Sequence, residues 1–308
     1  MNQAEMQTYE WNTIDWTKVE KIVFKLQKRI YKAERSGNKK LVRQLQRLLL
    51  KSQSAKLLAV RRVTQDNQGK NTAGVDGVKS LAPNQRVKLV ERLKLDGKAK
   101  PTRRVMIPKP GKDELRPLSI PIIEDRAKQA LAKCVLEPEW EAKFEPSSHG
   151  FRPGRSCHDA IEDIFLAIKQ KSKWVLDADI AKCFDKIDHS KLLEKLDTFP
   201  TLKRQIKAWL KSGFKQSSQW FPTNEGTPQG GVISPLLANI ALHGMEETIK
   251  AYARTWKGHK RNNEKSVSVI RYADDFLVIH ESRQVVEECQ LILETWLQNI
   301  GLEFKALV

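Results

Sequence analysis

Between residues 17 and 50 the apolar positions fall three and four apart. Val19, Ile22, Val23, Leu26 and Ile30 form one run. Leu41, Leu45, Leu48 and Leu49 form the next, with Lys and Arg on the opposite side. This spacing predicts two amphipathic helices. Gly37-Asn38 separates them, the glycine breaking the first and the asparagine capping the second. Thr64–Val78 contains Gly69, Gly74 and Gly77 and reads as a loop. A short helix follows over 85–98. Residues 103–109 and 115–121 then predict two short strands, turned by Pro110-Gly111-Lys112-Asp113. The hairpin carries Lys109 and Arg116. Residues 124–145 read as a helix with Ala130, Leu131, Cys134 and Val135 on its apolar side.

The second half begins with a loop rich in Gly and Arg, Ser147–Ser156, and a helix over 157–169. Trp174–Ile180 alternates as a strand should. Helices are expected at 190–197 and 201–212, a strand at 217–222, and a loop over Gly226–Pro235. Ser234-Pro235 is a good helix start, predicting a helix to about Arg254. A polar basic connector occupies 257–265. Two runs rich in Val, Ile and Leu then flank Tyr272-Ala273-Asp274-Asp275. The pattern predicts a β-hairpin with carboxylates at its tip. A helix over 283–299, a stop at Gly301 and a strand within 302–308 complete the reading. Residues 1–16 are polar, with Trp11 and Trp16 as anchors, and no internal repeat is visible.

Charge sharpens this picture. The net charge is +18, and it is unevenly spread. Residues 1–120 hold 28 Lys and Arg against 11 Asp and Glu, whereas residues 121–308 hold 27 against 26. So one-sided an excess points to a polyanion, nucleic acid first. A membrane surface fits less well, because no strongly apolar helix face accompanies the charge. No apolar run approaches the ~20 residues of a membrane span, and the N-terminus lacks a signal-peptide pattern. A cytoplasmic protein is expected. Cys134, Cys157, Cys183 and Cys289 are too scattered to suggest a zinc site or a disulfide framework.

The candidate chemistry lies in the carboxylates. Asp274 and Asp275 are adjacent and repel each other when ionised. A hard divalent cation would relieve this, although a solvated Asp-Asp turn is the plain alternative. Asp179 ends a strand, with Asp177 on the same face. A strand-borne Asp with a hairpin-tip Asp is an arrangement that holds two Mg²⁺ for phosphoryl transfer. Lys109 and Arg116 could meet a triphosphate.

Six blocks now stand in order: Arg104–Lys109, Leu115–Pro121, His149–Ser156, Asp179–Ile187, Gly226–Pro235 and Tyr272–Asp275. Together they resemble the reverse transcriptases encoded by group II introns, which are mobile elements. The resemblance implies an α+β, right-hand polymerase with fingers and a ferredoxin-like palm sheet packed by helices. It implies a basic helical N-terminal extension over 1–63, fingers over 64–170 and palm over 171–308, the last two interleaved. Asp179, Asp274 and Asp275 match the catalytic carboxylates. Asp179, Asp274 and the backbone carbonyl of Ile180 match the ligands of two Mg²⁺, with Mn²⁺ as a substitute.

Phe184 matches the aromatic residue that excludes a 2′-hydroxyl, and Lys109 and Arg116 match triphosphate ligands. Gln229 would lie by the incoming nucleotide, with Gly230 and Gly231 allowing backbone approach to the template. The extension would grip template and intron RNA, with Lys28, Lys32, Arg43 and Arg47 as contacts. Implied partners are an RNA template, intron RNA, a DNA or RNA primer and dNTPs, with no membrane. His149 and Arg152 are expected to structure their loop. The family continues into a thumb, and this sequence is expected to stop short of it. The implied activity is RNA-directed DNA synthesis. An RNA-binding splicing factor (a maturase) with secondary polymerase activity is the alternative. A metal nuclease explains Lys109, Arg116, Phe184 and Gln229 less well. Retron, diversity-generating and CRISPR-associated lineages stay open.

Overall fold

The computed structural model describes residues 10–109, 111, 113–217 and 219–307. The polar opening stretch through residue 9, Pro110 and Lys112 of the expected turn, Ser218 of the expected strand, and Val308 lie outside the described residues. The helices are α1 (Trp16–Arg35), α2 (Lys39–Lys51), α3 (Gln53–Arg61), α4 (Pro83–Arg92), α5 (Ile123–Glu141), α6 (Cys157–Ile168), α7 (Cys183–Lys186), α8 (His189–Leu196), α9 (Pro200–Leu210), α10 (Ser234–Leu242), α11 (Met245–Ala253), α12 (Lys260–Ser266) and α13 (Arg283–Gln298). The strands are β1 (Thr102–Pro108), β2 (Leu115–Ile120), β3 (Trp174–Ile180), β4 (Phe214–Gln216), β5 (Gln219–Phe221), β6 (Ser268–Tyr272), β7 (Asp275–His280) and β8 (Phe304–Leu307).

The chain forms two compact units. The first runs to Ala142 and takes in Thr198–Thr223 and Pro228–Ile233. The second holds Lys143–Asp197, Asn224–Thr227 and the chain from Ser234 onward. The continuous opening segment of the first unit ends at Ala142. The N-terminal helices share a unit with the first hairpin, because α1, α2 and α3 all pack on α5.

In the first unit Asp15 and Asn38 cap α1 and α2, each accepting a backbone N–H at 3.0 Å. The inward positions are Val19, Val23, Ile30, Val42, Leu45 and Leu49. Ile22, Leu41 and Leu48 stay exposed. Pro138 sits inside α5. Lacking an N–H, it leaves the carbonyl of Cys134 without its helical donor. The Gln27 side chain of α1 supplies one, its Nε2 donating to that oxygen at 3.0 Å. The strand order is β2-β1-β4-β5, with β1 and β2 antiparallel and β1 parallel to β4. Where one strand was expected at 217–222, a tight β4-β5 hairpin stands, with Ser217 at φ 47 in its turn.

In the second unit the strand order is β6-β7-β3-β8, all neighbours antiparallel. One face of this sheet buries Leu176, Ala178, Ile180, Phe276 and Val278, with α13 packed on β3 and β7. The other face is covered only in part. Ala160, Ile164 and Ala167 of α6 pack on Val175, Ile270, Leu277 and Ile279. Further along β3 the same face carries Asp177 and Asp179, both exposed.

The expected helix from Ser234 to Arg254 is two helices, α10 and α11, broken at Gly244 (φ 100). Partners distant in sequence set the break. Lys195 Nζ donates to the carbonyls of Ala241 and His243, and Glu145 accepts the N–H groups of Gly244 and Glu247. The connector at 257–265 is largely helix α12.

Candidate functional site

Register brings the carboxylates together. Asp179 of β3 stands directly opposite Asp275 of β7, and Ile180 N–H donates to the Asp274 carbonyl at 3.1 Å. Tyr272 and Asp275 pair across the hairpin, leaving Ala273 and Asp274 as a two-residue turn. Ala273 has φ 59, a conformation that hairpin turns commonly give to glycine or asparagine. Holding a residue with a Cβ there costs roughly 1–2 kcal/mol, so its surroundings must enforce it.

Those surroundings are the Ser147–Ser156 loop and one buried arginine. Arg271 N–H donates to Ser147 O and His149 N–H donates to Arg271 O, which ties the loop to the edge of β6. A Cβ on Gly150 would lie 2.2 Å from the backbone nitrogen of Ala273, so only glycine fits there. The Arg271 guanidinium is buried. It donates to Ala273 O (2.8 Å), Asn239 Oδ1 (2.9 Å) and Ser148 Oγ (2.6 Å). Asn239 in turn donates to Gly150 O at 2.8 Å. His149 sits 2.8 Å from an Asp163 oxygen, and Arg152 donates to the carbonyls of Glu145 and Ser148. Both hold the loop.

The electrostatics match a cation site. Burial, then the charge of Asp179, raises the Asp274 carboxyl above the ordinary range. Asp275 is raised by burial and by Asp274, Asp179 and Asp177. Carboxylate oxygens held against mutual repulsion are suitable ligands for a hard divalent ion. Among the described residues no group of three or more His, Cys, Asp and Glu side chains forms a ready cage. Mg²⁺ does not require one, since one or two carboxylates suffice when substrate phosphates and water complete its shell.

Phe184 lies in α7, entered through Lys182 at φ 51. Its ring meets Phe151 edge to face, with centroids 5.9 Å apart. Phe151 itself has φ 61 and is 46% exposed. Behind Phe184, Thr227 N–H donates to its carbonyl at 2.5 Å. A Cβ on Gly226 would fall 2.6 Å from that same oxygen. Asp185 and Asp188 are not part of the carboxylate face; Asp188 caps α8.

The remaining expected site residues belong to the first unit. Lys109 is opposite Glu114, with a backbone bond of 2.9 Å and a side-chain ion pair of 2.5 Å. Arg116 is opposite Ile107, so alternation puts Lys109, Glu114 and Arg116 on one face of the hairpin. Gln229 O accepts Ser119 N–H at 2.6 Å. The close approach at Gly230 is to β2, where a Cβ would meet Leu118 at 2.8 Å, and Gly231 is buried. The packing against β2 therefore calls for a glycine at position 230.

The basic helices divide into two kinds of position. Arg43 is turned inward and pairs with Glu139 at 2.6 Å; Glu139 is only 1% exposed and is also bonded by Gln46. This pair holds the guanidinium toward α5. Arg47 is exposed and lies 5.2 Å from the Phe199 ring. Lys28 and Lys32 are exposed. On α1 the positions Lys21, Phe24, Lys28, Tyr31 and Arg35 recur at three- and four-residue steps, and all five are exposed. They form a stripe alternating cation and aromatic ring, with Lys28 Nζ 5.5 Å from the Phe24 ring centroid.

Sequence reasoning singled out neither this aromatic stripe nor Phe151, Gly150, Asn239 and Arg271. The available signal for Arg271 was a lone charge inside an apolar strand.

The family model for reverse transcriptase (RNA-dependent DNA polymerase) matches residues 107–306, and one for the N-terminal domain of reverse transcriptase matches 11–93. Protein YkfC of Escherichia coli (strain K12) is 32% identical over 295 residues, covering 81% of this chain and 76% of that protein. The group II intron-encoded protein LtrA of Lactococcus lactis subsp. cremoris is 37% identical over 190 residues, 59% of this chain but 31% of that protein. Maturase-like protein 1 of Euglena gracilis is 33% identical over 237 residues, 75% of this chain and 51% of that one. The chain thus spans a third to a half of the length of the last two. Telomerase from Candida albicans, solved in complex with a fragment of telomeric RNA, shares the fold at TM-score 0.53 and 13% identity. That match covers 70% of this chain and 43% of the other. No described helix is long and apolar enough to cross a membrane.

Proposed function

Since the chain belongs to the reverse transcriptase family, we propose that it carries the RNA-directed DNA polymerase site of a group II intron-type element, built on Asp179, Asp274 and Asp275. The observation carrying this reading is the register of Asp179 with Asp275 beside the Asp274 turn, on the sheet face beyond α6. Asp179 and Asp274, with the Ile180 carbonyl, would hold two Mg²⁺, or Mn²⁺ in their place. When bound, these ions supply activation of a primer 3′-hydroxyl and neutralisation of the departing pyrophosphate.

The protein's own residues do the rest. Phe184, braced by Phe151, packs under the incoming sugar and leaves no room for a 2′-hydroxyl. Arg116 and Lys109 bind the triphosphate of a dNTP. Lys109 must exchange Glu114 for phosphate, and an exposed ion pair is worth only ~0–1 kcal/mol. That exchange is therefore cheap. Gln229 is assigned to nucleotide contact.

The test is Asp274→Asn, which removes a formal charge and leaves the shape. Primer extension on an RNA template should be abolished while thermal unfolding stays close to the parent. Near-normal extension by a folded variant would reject the metal-ligand role.

A second reading, RNA grip in the manner of a maturase, is favoured by the α1 stripe. Single-stranded nucleic acid is bound by cations tracking phosphates and aromatic rings stacking on bases. Phe24 and Tyr31 stand about 10 Å apart along the helix axis. An exposed Phe between lysines has no packing role that explains it. Template or intron RNA is the partner this face fits. The two readings separate by mutation, since Asp179→Ala should stop synthesis and leave RNA affinity unchanged.

A further inference from the structure

The Arg271 side chain touches neither metal ligand nor nucleotide in the proposed polymerase site, and its environment is unusual. It is 3% exposed, and its hydrogen-bond partners are an amide oxygen, a backbone carbonyl and a hydroxyl. A buried guanidinium commonly has a carboxylate against it, because an uncompensated charge in the interior is expensive. Here, among the described residues, no carboxylate accepts a hydrogen bond from it, and burial lowers its pKa to about 10 against the favourable charges of Glu145 and Asp274. It remains a cation at neutral pH. An apolar side chain of similar length would be easier to bury. The cost is explained if the fork is needed for its geometry.

That geometry converges on one turn. One guanidinium nitrogen, Nη1, serves both Ala273 O and Asn239 Oδ1, while Nη2 holds Ser148 Oγ. Ala273 is the left-handed residue immediately before Asp274. Asn239 returns a bond to Gly150 O, and the backbone of Ala273 leaves no room for a Cβ at Gly150. The next residue in the loop is Phe151, whose ring meets Phe184. A closed ring of contacts therefore joins the catalytic turn to the aromatic pair, with Arg271 at its centre.

We infer that Arg271 is a positioning residue, holding the Ala273-Asp274 turn in its metal-binding form and coupling that turn, through Asn239 and Gly150, to the Phe151–Phe184 pair. The inference rests on the polymerase reading above. Neither lysine nor methionine can replace the fork. Lysine keeps the charge but cannot hold the three acceptors in the same planar geometry. Gly150→Ala perturbs the same turn without touching the charge, since its new Cβ collides with backbone.

The experiment uses Arg271→Lys and Gly150→Ala in the intact chain, with three measurements. Mn²⁺ binding without substrate is followed by electron paramagnetic resonance. The Mg²⁺ midpoint, kcat and KM come from primer extension, with dNTP and rNTP compared. Thermal unfolding controls for the fold. Partners that orient metal ligands typically affect metal affinity or activity by about 10–100-fold. We expect a loss of that order in Mn²⁺ affinity and in kcat for both variants, with KM for dNTP changed by less. Gly150→Ala should also admit rNTP more readily.

Folded variants with the parent's Mn²⁺ affinity and Mg²⁺ midpoint overturn the inference, even if Asp274→Asn is inactive. Should both variants unfold, Ser148→Ala decides, because it deletes one acceptor and leaves the other two. A raised Mg²⁺ midpoint supports the coupling, and an unchanged one overturns it.

Discussion

Neutralising the α1 stripe should change how RNA binding responds to salt, and neutralising Arg43 should not. The first perturbation is the triple change Lys21→Gln, Lys28→Gln and Arg35→Gln. All three side chains are exposed on one face, so little stability is at stake. Each cation contacting a single-stranded phosphate contributes about 0.7 to the slope of log affinity against log salt. Three of them contribute about 2, so the parent's affinity should fall about 16-fold more than the triple variant's between 50 and 200 mM salt. The second perturbation is Arg43→Gln. Its carboxylate partner Glu139 is almost fully buried, and breaking a buried pair costs about 3–5 kcal/mol. Gln46 still bonds Glu139, so the lower end applies, a loss of roughly 5–10 °C in melting temperature. The assay is fluorescence anisotropy with an unstructured RNA across a salt series, beside thermal melts of each variant. The reasoning is refuted if the triple variant keeps the parent's slope. It is equally refuted if folded Arg43→Gln flattens the slope as far as the triple does.

Phe24→Ala with Tyr31→Ala should weaken binding by about 1–3 kcal/mol per stacked base at every salt concentration, and anisotropy with unpaired against duplex RNA measures it. Phe151→Ala should relax dNTP over rNTP selection in the same direction as Phe184→Ala, by removing the ring that braces it; the ratio of kcat/KM values reads this directly. Gly226→Ala meets the carbonyls of Phe184 and Asp185 at 2.6 and 2.5 Å in a left-handed conformation, so it should destabilise the second unit and disturb sugar selection, as melts and the same ratio would record. Lys195 has its pKa lowered to about 8 by burial. The folded protein thus binds fewer protons there than the unfolded chain, and stability should rise as pH climbs from about 8 toward 10.5. Denaturation of the parent and Lys195→Met across that range should show the increment in the parent alone.

What could be read from the chain was whatever local chemistry decides. Asn38 caps α2 because its side chain reaches Leu41 N–H, and the alternation of β3 follows from its own residues. Partners from afar decided the rest. The helix starting at Ser234 stops at Leu242 because Lys195 and Glu145, distant in sequence, bind the groups at the break. Arg43 looks like any solvated arginine until Glu139 of α5 is brought beside it. Gly230 follows the same logic: its need for space is set by Leu118 and Ser119, and no residue near it in sequence reveals that. The carboxylates were legible as chemistry, whereas the buried Arg271 clamp was visible only as an oddly placed charge.

The order of strands in the second unit also bears on synthesis. The strand bearing Asp179 is internal to its sheet, and both its neighbours come much later in the chain: Asp179 pairs with Asp275 on one side and Lys305 on the other. At ~5–20 residues per second on the ribosome, β3 waits roughly 5–20 s for its first partner. During that time Leu176, Ala178 and Ile180 have no sheet to join. The helices of residues 16–61 need only α5 to begin their core and can fold well before. A nascent chain should therefore be able to hold RNA before it has a polymerase site. Chains that stall between β3 and β7 should aggregate through the unpaired strand.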